Sequence, residues 1–294
     1  MRLVTCEYKQ IQTLGVVLGE SVALTARLGS WPRTTLELID GGPDLWARLA
    51  KSAPSFPDSC KVPLSEVKLR APIPVPRKNI MCLGWNYADH SQEAAATRGK
   101  EAEIPEHPVV FTKNVTSVND PNGDIPFNAA VTAQLDWEVE LTIVIGTGGR
   151  GIAAKDALRH VFGYTVTNDV SARDIQFRHK QYFLGKSLEG ACPMGPMIVT
   201  ADEIPDPQVL DVRTWVNGNL KQSSNTRHQI FNVATTISIL SRGMRLEPGD
   251  LIATGTPSGV GFARKPPEFM KPGDVVEREV EKIGRLKNKV VEIR

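Results

Sequence analysis

Three acids at alternate positions, Asp136, Glu138 and Glu140 in the run DWEVEL, are the residues of this chain best suited to chemistry. In an extended strand alternate side chains share a face, so these carboxylates point one way and Trp137, Val139, Leu141 and Ile143 the other. Two readings fit. One is a half-buried strand with its polar face in water. The other is a pair of glutamates presented to a hard cation, since Mg²⁺, Mn²⁺ and Ca²⁺ take oxygen ligands. Carboxylates ~4 Å apart repel by about 4 kcal/mol at an effective dielectric near 20. A buried cluster therefore needs a cation or takes up a proton.

More polar groups follow. Asp169 comes just after the apolar run Phe162–Thr167, where a helix cap is its ordinary role. Arg173 and Gln176 are three apart and would share a face of one helical turn, in the site or at the surface. Lys186 sits beside Gly185. His90 and Glu93 have the same spacing of three, which on a helix suits a base and its orienting acid, or a capping histidine at the surface.

The elements that must position these groups are mostly strands. Candidates are Gly15–Leu18 and Ser21–Leu24 around a Gly19-Glu20 turn, then Asp136–Ile145, Phe162–Thr167, Met197–Thr200, Val212–Val216, Asp250–Thr254 and Val275–Val280. Asn217-Gly218 marks a hairpin. Helices are expected at Leu45–Leu49, at His90–Thr97 with Asp89 as N-cap, at Ala154–His160, and at Gln229–Leu240 with Gly243 as a stop. This is a mainly β chain with accessory helices, an α+β class. It lacks the regular alternation of a doubly wound sheet or a TIM barrel. The proline-rich APIPVPRKNI stretch (Ala71–Ile80) divides a small strand-rich N-terminal domain, 1–70, from a catalytic domain, 71–294.

With 41% hydrophobic and 23% charged residues the chain can build a sizeable core, which excludes wholesale disorder. A net charge of +2 argues against nucleic acid or an acidic membrane surface as partner. Cys6, Cys60, Cys82 and Cys192 form no zinc pattern, and with no apolar leader they suggest a reducing, cytoplasmic setting. No apolar run is long enough to span a membrane. Gly146–Gly151 lacks the G-x-G-x-x-G spacing and reads as a turn, which disfavours a dinucleotide enzyme. His107, His160, His179 and His228 have no metal spacing.

Taken in order, LGWNYADHSQE (Leu83–Glu93), DWEVEL (Asp136–Leu141), TNDVSARDIQ (Thr167–Gln176), LGKS (Leu184–Ser187) and GDLIATGTPSGVG (Gly249–Gly261) resemble the fumarylacetoacetate hydrolase family. The likeness is strongest to its acylpyruvase-like and oxaloacetate decarboxylase-like bacterial branch, and runs from about Ala71 to the end. It implies a mixed β-roll or distorted β-barrel, usually a homodimer. It also implies Mg²⁺ or Mn²⁺ held by Glu138, Glu140 and Asp169, with Lys186 as the site lysine. By the same resemblance Arg173, Gln176 and Thr256 contact substrate, and His90 and Glu93 lie on a lid helix.

The expected substrate is a small 2-oxo acid that chelates the metal and passes through an enolate. The leading expectation is hydrolytic C–C cleavage of an acylpyruvate-type 2,4-dioxo acid. In that scheme His90 activates water, Arg173 engages the carboxylate, Thr256 or a backbone N–H of its loop binds the oxyanion, and Tyr182 borders the distal end. The same chemistry would serve oxaloacetate decarboxylation, isomerisation of a 2-hydroxyhepta-2,4-diene-1,7-dioate-type diacid, or hydrolysis of a 2,4-dioxo-3-deoxy sugar acid. The non-enzyme alternative is an inactive metal-binding scaffold.

Overall fold

The structure is a computed structural model. It describes residues 1–97 and 105–294, the side chains of 94–97 excepted. Its larger sheet runs in the order Lys61–Pro63, Ser21–Leu24, Ile11–Leu18, Arg2–Tyr8, Cys192–Thr200, Val161–Asn168, Val139–Ile145, Leu251–Ala253, Ile80–Gly84, Val109–Lys113. The pairing is mixed: Leu251–Ala253 lies parallel to Ile80–Gly84 and antiparallel to Val139–Ile145. Among the described residues the two ends of this path do not pair, so the sheet does not close into a barrel. The N-terminal strands join it directly, since Arg2 and Leu3 pair with Val199 and Ile198. Gly19 takes φ +62° in the turn between the second and third strands, a conformation that glycine adopts without a Cβ clash.

A second sheet orders Asn219–Asn225, Asp211–Val216, Val275–Val280, Gly284–Glu292 and Ile125–Phe127. Asn217 and Gly218, both at positive φ, make its expected hairpin turn. Val212, Val280 and Leu286 from this sheet share one core with Leu141, Ile143 and Tyr164 of the first. Each such aliphatic side chain contributes about 1.5–3 kcal/mol on burial. Val233, Ile237 and Leu240 of the helix Val233–Gly243 close the same core.

The central strand Val139–Ile145 is buried along its whole length. Its alternate residues Val139, Leu141, Ile143 and Ile145 meet that core, while Val144 joins a second one beneath the N-terminal module. The face that carries Glu140 is therefore covered, and the solvated polar face is excluded for it.

Several boundaries differ from expectation for physical reasons. The strand expected over 136–145 breaks in two. Leu135–Asp136 pairs with Ser171–Ala172, and the ladder resumes only at Val139. Side chains supply the missing bonds: Glu138 N donates to Asn168 Oδ1 (3.0 Å) and Val139 N to Gln222 Oε1 (3.2 Å). The helix expected from Gln229 starts at Val233, because the N–H groups of Ile230 and Phe231 go to Asn86 and Asn232 caps Thr235 N at 2.8 Å. Ala154–His160 is a 3-10 helix. Ala88–Thr97 begins one residue before Asp89, so Asp89 is inside the first turn and is not its N-cap. A helix over Thr35–Asp40 was not foreseen, although Thr34 is a good N-cap: Glu37 N donates to Thr34 Oγ1, and Glu37 Oε2 accepts Arg33 N just before the cap.

Candidate metal-binding active site

The break at Trp137–Glu138 shapes the site. The Trp137 side chain turns away, its indole N–H donating to Gly259 O at 3.1 Å. Glu138 is then free to face Glu140 on the resumed strand and Asp169 at the end of its neighbour, whose N–H donates to Glu138 O at 2.9 Å. Glu138, Glu140 and Asp169 each offer a carboxylate oxygen, all within 4.8 Å of one another and all buried. The cluster is thus a consequence of strand pairing between residues about thirty apart in sequence.

Cations flank it. Lys186 Nζ lies 2.8 Å from Glu138 Oε2 and 2.8 Å from Asp169 Oδ2. Arg173 Nη2 is 2.6 Å from Glu138 Oε1, Nε donates to Asp136 Oδ2 (2.9 Å), and Nη1 donates to Gln176 Oε1 (2.9 Å). The expected helical turn therefore exists, but both its polar residues are buried. Lys113, fully buried, donates to Asp169 Oδ1 (2.8 Å), Val170 O (3.2 Å) and Lys186 O.

The three acids do not share the load equally. Burial alone would raise Glu138, but the positive charges of Lys186 and Arg173 outweigh it and hold that carboxyl down at about 2. Glu140 is pushed well above the usual carboxylate range by burial and by the negative charges of Asp169 and Glu138. One of its oxygens accepts Gly255 N at 2.7 Å; the other, Oε1, is buried without a hydrogen-bond partner. An all-oxygen donor set with an orphaned buried carboxylate oxygen and uncompensated negative charge fits a hard divalent cation.

Seven expected site residues line one small cavity: His90, Glu138, Arg173, Gln176, Tyr182, Lys186 and Thr256. Leu83, Gly84, Trp85 and Phe111 complete its wall. Glu140 and Asp169 are outside the lining, in the acid cluster that Glu138 and Lys186 connect to it. His90 is buried, stacked on Trp85 with ring centroids 5.0 Å apart and edge-on to Phe262. Tyr182 is partly exposed and packs edge-on against Phe111. Thr256 Oγ1 accepts from Gln222 Nε2 at 2.8 Å.

Glu93 departs from expectation. Its Oε2 is 3.7 Å from His90 Nδ1, beyond hydrogen-bond range, and both its oxygens instead accept Gly259 N at 3.0 and 3.1 Å. It is outside the cavity lining. A contact of 3.7 Å becomes an ion pair only when the imidazole is protonated.

Asp136, Lys113, Gln222 and Trp85 were missed from sequence. The sequence assigns Asp136 no task of its own; in the structure it accepts from Arg173, Gly261 N and Phe262 N. For Lys113 the sequence carried a weak signal, one lysine closing an apolar strand. Nothing local marked Gln222 for the site: besides Thr214 on the paired strand, its partners lie 34, 35 and 83 residues away.

Fold and site together define a mixed-sheet enzyme with a buried acidic cluster that reaches a small cavity through Glu138. A family model described as fumarylacetoacetate hydrolase, C-terminal, matches residues 79–291, and the chain belongs to that family. It is 52% identical over 227 residues to oxaloacetate tautomerase YisK of Bacillus subtilis, covering 77% of this chain and 74% of that one. It is 41% identical to the mitochondrial oxaloacetate tautomerase FAHD2B of Bos taurus, covering 93% and 84%. Among solved structures, a fumarylacetoacetate hydrolase from Exiguobacterium antarcticum superimposes with TM-score 0.86 at 39% identity over the full length of both chains. A maleylpyruvate hydrolase from Sphingobium, in complex with manganese(II) and pyruvate, does so with TM-score 0.79 at 30% identity, again over both full chains. Among the described residues no helix is long and apolar enough to cross a membrane.

Proposed function

We propose that this enzyme interconverts the enol and keto forms of a small 2-oxo diacid such as oxaloacetate. The observation that carries this reading is a single cavity that brings His90 and Arg173 against Glu138 of the acid cluster. The names of the two curated relatives support the substrate class. They move tautomerisation ahead of the hydrolysis expected first from sequence.

A Mg²⁺ or Mn²⁺ ion held by Glu138, Glu140 and Asp169 would supply Lewis acidity toward the 2-oxygen of the substrate. The protein's own groups do the rest. Arg173, its guanidinium fixed by Asp136 and Gln176, holds a substrate carboxylate by charge-assisted hydrogen bonds. Trp85 and Phe111 keep water from the cavity wall. With Nδ1 of His90 buried and without a hydrogen-bond partner, Nε2 is the nitrogen that exchanges a proton with C3. In ketonisation the enol oxygen loses its proton and C3 gains one, so the formula is unchanged and no water attacks.

A second reading, C–C hydrolysis of a 2,4-dioxo acid, has one specific observation in its favour. Because Gln222 donates to Thr256 Oγ1, that hydroxyl is left to donate into the cavity, where a tetrahedral oxyanion would form. The deciding experiment follows the ultraviolet absorbance of enol-oxaloacetate and of acetylpyruvate with Mg²⁺, with Mn²⁺ and with chelator, and measures pyruvate in parallel. Metal-dependent loss of enol without pyruvate supports the tautomerase. Pyruvate from acetylpyruvate supports hydrolysis, and pyruvate from oxaloacetate supports decarboxylation. Turnover of no 2-oxo acid leaves the inactive scaffold.

A further inference from the structure

The helix that carries His90 is fastened to the rest of the site by a residue with no assigned role. Asp89 uses both carboxylate oxygens: Oδ1 accepts the backbone N–H of His90 at 2.9 Å, and Oδ2 accepts the hydroxyl of Ser258 at 2.7 Å. One carboxylate thus spans the first turn of the helix and a loop 169 residues further along the chain.

That loop is not a passive anchor. Its backbone N–H groups serve three acids in turn. Gly255 N donates to Glu140 Oε2 (2.7 Å), Gly259 N to Glu93, and Gly261 N to Asp136 Oδ1 (2.7 Å), the acid that holds Arg173. On the same loop Thr256 lines the cavity, and Phe262 packs edge-on against the His90 ring. Its path is tightly specified. Gly255 and Gly259 sit at φ +90° and +97°, and a Cβ at Gly259 would fall 2.1 Å from Lys221 O. Ser258 is therefore presented at one place, and whatever it holds is referenced to Glu140 and Arg173.

We propose that Asp89 and Ser258 are positioning residues for the reaction, forming a latch that sets His90 against the acid cluster. The inference rests on the proposed role of His90 as the proton-transferring group. It assigns that positioning to Asp89 rather than to Glu93, which makes no hydrogen bond to the imidazole.

The latch is tested on the full chain with Ser258→Ala, Asp89→Asn, the double variant and Ser258→Thr, each checked for an unchanged melting profile. Loss of one charge-assisted bond lowers kcat about tenfold, with KM within twofold because Arg173 is untouched. The double variant falls no further than either single one, since both remove the same contact, and Ser258→Thr, which keeps the hydroxyl, recovers most of the rate. Single effects that multiply in the double variant would overturn the latch, as would a loss expressed in KM alone. Hydrogen exchange supplies a readout that needs no substrate. The amides of residues 86–93 exchange faster in Ser258→Ala than in the parent protein, with those of 139–145 unaltered. Equal exchange at 86–93 overturns the latch even if the enzyme is active. Faster exchange with no turnover of any 2-oxo acid retains the latch and sinks the tautomerase reading instead.

Discussion

The two corners of the cavity are built in opposite ways. At the acid corner Glu140 and Asp169 stand on or directly after central strands buried on both faces, and Lys113 and Lys186 close around them. Four carboxylates there, Asp136, Glu138, Glu140 and Asp169, face three cations, Lys113, Arg173 and Lys186. At the histidine corner His90 sits on a short helix held by side-chain contacts to a loop, Asp89 to Ser258 and Glu93 to Gly259. Strand ladders are worth more in rigidity than a few polar contacts across a gap. On the proposed reading, strand ladders preorganise the metal-binding half, while the histidine half depends on side-chain contacts to one loop.

The strongest way to break this contrast is at the acid corner. Glu138→Gln or Glu140→Gln should abolish metal-dependent turnover, on the order of 10³-fold or more, since several kcal/mol of charge stabilisation goes with the ion. Calorimetric titration with Mn²⁺ should show the affinity lost as well. Retention of tight Mn²⁺ binding in both variants would remove the cluster as the metal site. Next comes His90→Ala, expected to lower kcat by about 10²–10⁴-fold while Mn²⁺ titrates as in the parent. A parallel loss of metal affinity would show that the two corners are one unit.

Asp136→Asn sharpens the comparison at the boundary between them. It removes the charge that steadies Arg173 and should raise KM for the 2-oxo acid about tenfold, with a smaller change in kcat. The smallest effect concerns pH and the chelated protein. Glu140 is raised in the fold, so the native state holds a proton that the unfolded chain releases, and this contribution to stability fades as pH rises above the ordinary carboxylate range. Glu138 is lowered to about 2, so its contribution is present above the unfolded value and is lost as pH falls toward 2. Melting curves of the chelated protein should therefore show Glu140→Gln flattening the decline on the alkaline side. An unchanged slope in that variant would mean that Glu140 carries no excess proton.

Much of the site was legible because chemistry repeats in short spacings. The E-x-E strand named two acids, and the spacing of three in Arg173 and Gln176 named a helical turn that the structure contains. Side-chain periodicity could not reveal the break at Trp137–Glu138, because Asn168 and Gln222 supply the bonds that a ladder would otherwise make. Nor could it set Glu93, whose distance to His90 along a helix is short by construction, yet whose oxygens are taken by Gly259.

By itself the sequence determined the family, the strand-dominated class and the identity of three acids suited to a hard cation, since each depends on residue type and near spacing. Tertiary structure alone decided that the acid face is buried, that Asp136 serves Arg173 and Lys113 serves Asp169, and that Asp89 reaches Ser258. Those facts depend on contacts between residues tens to more than a hundred positions apart, which only the packing of the two sheets and the loop 255–262 brings within hydrogen-bond range.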